Sequence, residues 1–360
     1  MLPTYNERLS IKKAILSVKS LDISAEKEII IVDDDSPDGT SQVVKSLTYK
    51  YKELRLIRRF GRSGLASAIK EGILSATGTI VIVMDADGQH EIDAAAVMLR
   101  LLQNEPSLDL VVGSRFKGDP NDLDGLSAKR TLGSNFANNM SRFVLDRRYR
   151  KLTDFMSGFF AVRASNFEEI NKTIDVEGFK FLFEALSISK GSLKVAEIPI
   201  YFHKREVGNS KLDIAVVWDF LISLLHSGSF RLVPRRMVGF GLVGLSGVAV
   251  QLLVFSLCQL LARGNFYQTL PVAVTLAATW NFTLNNELTF RSNKLKGKAF
   301  LTGLIKFLLV SSLPIAANTG VASYVYDNFG ESKLFAQLAG IMIAYLWNYA
   351  ASSKVVWHSR

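Results

Sequence analysis

An α/β domain with a mostly parallel sheet, followed by an all-α part that crosses a membrane four times, is the fold class the sequence predicts. Three observations carry it. Over the first 212 residues, short apolar runs ending in acidic or polar clusters alternate with helical segments, the pattern of parallel strands covered by helices. Charge is unevenly divided: residues 1–236 carry 34 basic and 30 acidic side chains, whereas residues 237–360 carry nine and three. That second part also holds four uncharged stretches of the length a bilayer requires, about 20 residues per helix.

Within the charged part, Glu28 to Asp33 reads Glu-Ile-Ile-Ile-Val-Asp, a run that suits a strand buried on both faces. It ends in Asp33-Asp34-Asp35-Ser36-Pro37-Asp38-Gly39-Thr40. Leu54 to Arg58 reads as a shorter strand and Gly64 to Ala76 as a helix. Thr79 to Met84 is a second buried strand, ending in Asp85-Ala86-Asp87, and Leu108 to Gly113 is a further strand. Ligands of such sheets bind at the carboxyl ends of the strands, where both acidic clusters fall. Residues 213–236 place Ile214, Val217, Trp218, Leu221, Leu224 and Leu225 at helical spacing, with Arg231, Arg235 and Arg236 behind them. A core-packing helix fits this spacing, but the position just before the first uncharged stretch favours an amphipathic helix at the bilayer surface.

The four expected spans are Met237 to Ala262, Gly264 to Asn286, Phe307 to Tyr326 and Leu334 to Ser353. The link between the second and third carries Arg291, Lys294, Lys296 and Lys298, whereas the first link has Arg263 alone and the last has Asp327, Glu331 and Lys333. Excess Lys and Arg marks the cytoplasmic side, which sets the charged domain and both termini in the cytoplasm. The opening residues are polar and charged, with no basic-then-apolar leader. Cys258, the single cysteine, forms no intrachain disulfide. Trp280-Asn281-Phe282 with Phe290 and Trp347-Asn348-Tyr349 with Trp357 share one spacing, 67 residues apart. An aromatic belt explains such residues in part; the matched order points to a duplicated two-span hairpin. Asn281, Asn285, Asn318 and Asn348 are candidates for interhelical hydrogen bonds, or for a lipid pathway.

The motifs narrow the chemistry. There is no G-x-x-x-x-G-K-[ST] and no G-x-G-x-x-G after a strand. One Cys and four scattered His exclude a zinc site of ordinary spacing. Asp85-Ala86-Asp87 sets two carboxylates at the mouth of a sheet, with Gln89 following. Hard oxygen ligands of this kind suit Mg²⁺ or Mn²⁺ held jointly with a diphosphate. The basic balance of +10 is explained by topology and anionic headgroups, without nucleic acid.

Taken in order, Pro3-Thr4-Tyr5-Asn6-Glu7, Val32 to Thr40, Arg58-Arg59, Gly64-Leu65-Ala66-Ser67-Ala68 and Met84-Asp85-Ala86-Asp87-Gly88-Gln89-His90 resemble the family-2 glycosyltransferases. The series continues through Gly113-Ser114-Arg115, Ser157-Gly158-Phe159-Phe160-Ala161 and Arg205 to Leu212. Within that family the sequence is most similar to the dolichol-phosphate mannose synthases and their bacterial polyprenyl-phosphate sugar transferase relatives. Residues 237–360 resemble four-span GtrA-like membrane domains.

This resemblance implies a GT-A (nucleotide-diphospho-sugar transferase, Rossmann-like) fold over residues 1–212. Residues 213–236 would be membrane-interface helices and 237–360 the transmembrane domain. It implies transfer of a hexose, mannose from GDP-mannose, to dolichyl or another polyprenyl phosphate, yielding a lipid-linked sugar donor for protein glycosylation or surface glycans. UDP-glucose is the alternative donor. A non-enzymatic flippase or channel with a regulatory soluble domain is a third reading, and the absence of Gln-x-x-Arg-Trp disfavours a processive synthase. Carried across by position, Pro3, Tyr5, Glu7, Asp33 and Asp35 hold base and ribose, and Asp85, Asp87 and Gln89 hold the metal on the donor diphosphate. Arg115, Arg130, Ser134, Arg205 and Lys211 receive the acceptor phosphate, with Asp87, Arg115 and Arg205 the catalytic set. Each acid also has a plain reading: Glu7 as a helix first-turn acid, and Asp33 to Asp38 as a capping turn. One departure stands out. Family members begin with an apolar strand before Pro-Thr-Tyr-Asn-Glu, and here only Met1 and Leu2 precede Pro3. The expectation is a missing central strand that leaves its neighbours unpaired, and a start lying upstream.

Overall fold

The computed structural model describes all residues except 24, 62–63, 119–127, 175–179, 202–213, 230, 263–265, 313–332 and 358–360. The chain divides into two compact units, Met1–Gly228 and Ser229–Arg360.

The first unit is built on two runs of strands. β1 (Leu2–Thr4), β2 (Ile29–Asp33) and β3 (Leu54–Arg58) are parallel, in the order β1-β2-β3. β4 (Ile80–Val83), β5 (Leu110–Ser114), β6 (Phe160–Arg163) and β7 (Val195–Pro199) follow the order β4-β6-β5-β7. Met1 joins the two runs. Its amino group donates to the Ile82 carbonyl at 2.9 Å, and its own carbonyl accepts from the Met84 N–H at 3.1 Å. Three residues of β1 thus take the central place expected to be vacant, between β2 and β4.

β6 departs from the parallel expectation, running antiparallel to both β4 and β5. The reason is local. Ser157 Oγ donates to the Gly113 carbonyl at 2.7 Å, so the chain re-enters the sheet at the edge where β5 leaves it and has to run back.

Among the described residues, the α-helices of this unit are α1 (Ile11–Ser20), α2 (Thr40–Thr48), α3 (Leu65–Ser75), α4 (Asp93–Asn104), α5 (Ala128–Val144), α6 (Ala164–Thr173), α7 (Phe181–Ser189) and α8 (Ile214–Gly228). Apolar residues at helical spacing bury one face of each, such as Ala66, Ile69 and Ile73 on α3. One core packs Ile11, Ile15, Ile31 and Met98. The other gathers Phe155, Phe160, Phe181 and Phe183. α8 contributes Phe220 to this second core, edge-on to Phe183 at 6.2 Å, while Val217 and Leu225 stay exposed. One face of α8 thus packs inward and the other presents apolar groups to the outside.

The second unit consists of α9 (Arg235–Ala262), α10 (Phe266–Leu284), α11 over residues 298–312, and α12 (Lys333–Val355). Among the described residues one helix, Arg235–Cys258, is long and apolar enough to cross a membrane by itself. The third expected span lies mostly outside the described residues, as does Asn318. Gly247 lets α9 and α10 meet closely, since a Cβ there would collide with the Asn281 amide.

The 67-residue repeat has a structural counterpart. Phe290 N–H donates to the Asn285 carbonyl at 2.8 Å and Trp357 N–H to the Ser352 carbonyl at 3.1 Å, the same i to i−5 closure at equivalent positions. The two rings stack at 4.3 Å. The asparagine that ties these ends together is Asn286, outside the expected set: its Oδ1 accepts from Trp357 Nε1 at 3.1 Å and from Leu295 N–H at 2.8 Å.

Candidate active site

The carboxyl ends of β1, β2 and β4 open onto a cleft of about 660 Å³. Pro3, Tyr5, Glu7, Asp35, Asp85 and Asp87 line it, six of the positions expected from the sequence. Backbone geometry shapes this wall. Asn6 and Asp35 adopt the left-handed region at φ 62° and 54°, a conformation sparsely used outside glycine that collects at functional sites. Ser36 Oγ accepts the Asn6 N–H at 2.9 Å, binding the two turns together.

The run Asp33 to Asp38 divides residue by residue between the two readings. Asp33 is fully buried and away from the cleft. It accepts from Ser36 N–H at 3.1 Å, Ser36 Oγ at 2.5 Å, Thr4 Oγ1 at 3.3 Å and Ser41 Oγ. At the end of β2 it is the acceptor for this cluster of hydroxyls, a structural role. Asp38 accepts from Thr40 N–H at 3.0 Å and Arg8 N–H at 3.0 Å. Burial pushes its carboxyl up, but these hydrogen bonds and that of Thr40 Oγ1 outweigh it and hold the group below the usual range. Asp34 and Asp35 face the cleft instead. Asp34, which the sequence left unassigned, pairs with buried Arg59 and accepts from Gly64 N–H at 2.7 Å. Asp35 accepts from Arg58 Nε at 2.7 Å.

On the opposite wall, Asp85 Oδ2 accepts from His90 Nε2 at 3.4 Å. The His90 ring rests against Phe159, centroids 4.9 Å apart. Burial pushes the Asp85 carboxyl up, but the hydrogen bond and charge of His90, with the charges of Lys180 and Arg115, more than offset this and keep it below the usual value. Glycine is required behind it: a Cβ at Gly158 would stand 2.9 Å from Oδ2 and 3.3 Å from Oδ1. His90 and Lys180 were not expected from the sequence, where a lone histidine and a lone lysine carry no signal.

Asp87 Oδ1 accepts from the Gln89 N–H at 3.1 Å. The Gln89 side chain is buried and does not line the cleft, because Gly88 at φ 77° turns the chain inward. Through its backbone N–H Gln89 also supports Asp87. Among the described residues, no three His, Cys, Asp or Glu side chains converge as a ready metal cage. Asp85 and Asp87 nevertheless present hard oxygens on one wall, a partial donor set that a diphosphate and water would complete.

Arg115 follows β5 and binds Asp154 through two parallel hydrogen bonds, Nε to Oδ2 at 2.7 Å and Nη2 to Oδ1 at 2.9 Å. Burial pulls its guanidinium down, yet the charge and hydrogen bonds of Asp154 and the charge of Asp85 raise it above the ordinary value. Ser134 lies half-buried on α5. The Arg130 side chain and residues Arg205 and Lys211 fall outside the described part.

With this geometry in view, likenesses to known proteins can be placed. Residues 1–170 match Glycosyl transferase family 2, and residues 239–357 match the GtrA/DPMS transmembrane domain, which makes the second unit a membrane domain. A dolichol-phosphate mannosyltransferase of Pyrococcus furiosus is 32% identical over 358 residues, 99% of this chain and 98% of that one. One from Mycosarcoma maydis is 32% identical over 71% of this chain and 85% of its own length. One from Saccharomyces cerevisiae is 28% identical over 67% and 90%. Among solved structures, glucosyl-3-phosphoglycerate synthase from Mycobacterium tuberculosis, in complex with Mn²⁺, UDP-glucose and phosphoglyceric acid, gives a TM-score of 0.47 at 17% identity, covering 63% of this chain and 78% of that one.

Proposed function

The chain belongs to the family-2 glycosyltransferases that carry a GtrA/DPMS transmembrane domain, and from that premise we propose that it transfers mannose from GDP-mannose to dolichyl or another polyprenyl phosphate. It is a hexosyltransferase of the membrane. The observation that carries the reading is the meeting of Asp85, Asp87 and the acidic turn of Asp35 on one cleft, in a chain similar from end to end to a dolichol-phosphate mannosyltransferase.

The chemistry follows from charge. A phosphate monoester has its second pKa near 6, by analogy with phosphorylated side chains, so its oxygen is already a competent nucleophile at neutral pH and no enzyme base is needed. That oxygen attacks the anomeric carbon of the sugar. The bond from this carbon to the diphosphate breaks, and the nucleoside diphosphate leaves with the electron pair from the opposite face, inverting the centre. The residues' task is to bring two anions together. Tyr5, Glu7 and Asp35 would seat base and ribose. Asp85 and Asp87, with Gln89, would hold a divalent cation, Mg²⁺ or Mn²⁺, which would neutralise the diphosphate as it leaves. Arg115, with Arg130, Ser134, Arg205 and Lys211, would receive the lipid phosphate.

The apolar groups Val217 and Leu225 of α8, and Leu132, Phe136 and Phe143 of α5, are exposed on packed neighbouring helices. They support a bilayer-facing surface on the catalytic unit. Four spans with both termini in the cytoplasm complete the proposed topology, on the charge of the 291–298 link.

A panel of radiolabelled nucleotide sugars offered with polyprenyl phosphate tests the donor. Lipid-extractable label is expected from GDP-mannose and should disappear with EDTA. Equal or greater label from UDP-glucose would overturn the mannose assignment. Gly158→Ala is expected to push the Asp85 carboxylate aside and cut transfer about tenfold, with thermal unfolding of the purified enzyme unchanged. An unimpaired rate would show that Asp85 needs no such close backing.

A further inference from the structure

Asp154 is buried to 1% exposure, and its carboxylate is committed to one side chain. Besides the two parallel bonds from the Arg115 guanidinium, Oδ2 accepts the Arg115 N–H at 3.3 Å, and Oδ1 accepts the Met156 N–H at 3.2 Å. The loop that carries it is fastened from three sides. Glu197 on β7 accepts from Thr153 N–H at 2.9 Å and Asp154 N–H at 3.0 Å. Asn138 on α5 accepts from Phe155 N–H at 3.0 Å. Ser114, the last residue of β5, shares a 2.5 Å hydroxyl contact with Thr153.

A buried acid this heavily anchored is costly unless its charge is used. Among the described residues its cationic partner is Arg115, which lies within the electrostatic reach of the cleft-lining Asp85. Left unclamped, a guanidinium is drawn toward the Asp85 carboxylate, which it would neutralise. Two parallel hydrogen bonds fix the plane of a guanidinium as well as its position.

We infer that Asp154, braced by Glu197, is a positioning residue that aims Arg115 at the incoming lipid phosphate and keeps it off Asp85. The inference rests on the proposed function in one respect, that Arg115 meets the acceptor phosphate. Asp154 itself touches no reactant and acts through Arg115.

Asp154→Asn keeps the shape and removes the charge and one acceptor. In the full-length enzyme it should raise KM for polyprenyl phosphate at least fivefold and leave KM for the nucleotide sugar within twofold. Combined with Arg115→Ala, it should add less than twofold to the loss caused by Arg115→Ala alone, because its effect passes through that side chain. Equal rises in both KM values, or losses that multiply in the double variant, would overturn the inference. Should Asp154→Asn not fold, Glu197→Gln takes its place, with the same acceptor-only signature expected at about twofold; a folded variant with no acceptor effect, or with equal effects on both substrates, counts against it.

A second readout needs no substrate. Phenylglyoxal labels the deprotonated guanidinium, so peptide mass spectrometry should find Arg115 modified several-fold faster once Asp154 is neutralised. If the wild-type enzyme transfers no sugar from any donor, the functional reading fails, and this labelling still decides the clamp: an unchanged rate at Arg115 overturns it.

Discussion

Asp87→Ala is expected to abolish sugar transfer, a fall of about a thousandfold or more, equivalent to roughly 4 kcal/mol in the transition state. The purified variant should unfold at the wild-type temperature and remain in the membrane fraction. The argument is electrostatic. Asp87 lines the cleft beside Asp85, its Oδ1 oriented by the Gln89 N–H. Removing it takes one of two hard oxygens from the wall that faces the leaving diphosphate, so the negative charge developing there is no longer met. Measured initial rates with saturating metal decide the matter. A variant that retains a tenth of the activity would show that the carboxylate is not a ligand.

Asp33→Ala, by contrast, should damage the fold before the chemistry. This acid stands one residue before the cleft-lining pair, but its carboxylate is the acceptor for Ser36, Ser41 and Thr4 in a fully buried site. Alanine leaves those donors without a partner. Stranding groups that served a buried charge costs about 3–5 kcal/mol, which for a unit of this size lowers the unfolding temperature by about 10 °C. Tryptophan fluorescence in detergent would record it. Transfer below the new transition should persist at a reduced level, since Asp34 and Asp35 keep their own partners, Arg59 and Arg58. A stable variant without activity would instead return Asp33 to the donor site.

These two acids show where the sequence was legible. The buried runs Ile29–Asp33 and Ile80–Val83 were readable because a strand covered on both faces needs a continuous apolar stretch, and each ended in the cluster that now borders the cleft. The aspartates themselves look alike in sequence. Their partners separate them: Asp33 and Asp38 accept from hydroxyls and backbone N–H groups, whereas Asp34 and Asp35 pair with Arg59 and Arg58 at the cleft. The same holds for Asn286, one residue from the predicted Asn285, which a single π turn rotates toward Trp357.

Charge balance, uncharged stretches and strand-then-acid motifs set the two-part organisation, the family and the edge of the sheet that holds the chemistry. Those features depend on local periodicity and composition, which the chain carries along its length. Tertiary structure alone decided that Met1 bridges β2's sheet to β4 through β1, that β6 runs antiparallel, that Gly158 backs Asp85, and that Asp154 holds Arg115. Each of these joins residues distant in the chain, such as Arg115 and Asp154 or Asp85 and Gly158. Contacts of that kind are chosen by packing and by the need to pair every buried charge, and no pattern within a single segment records them.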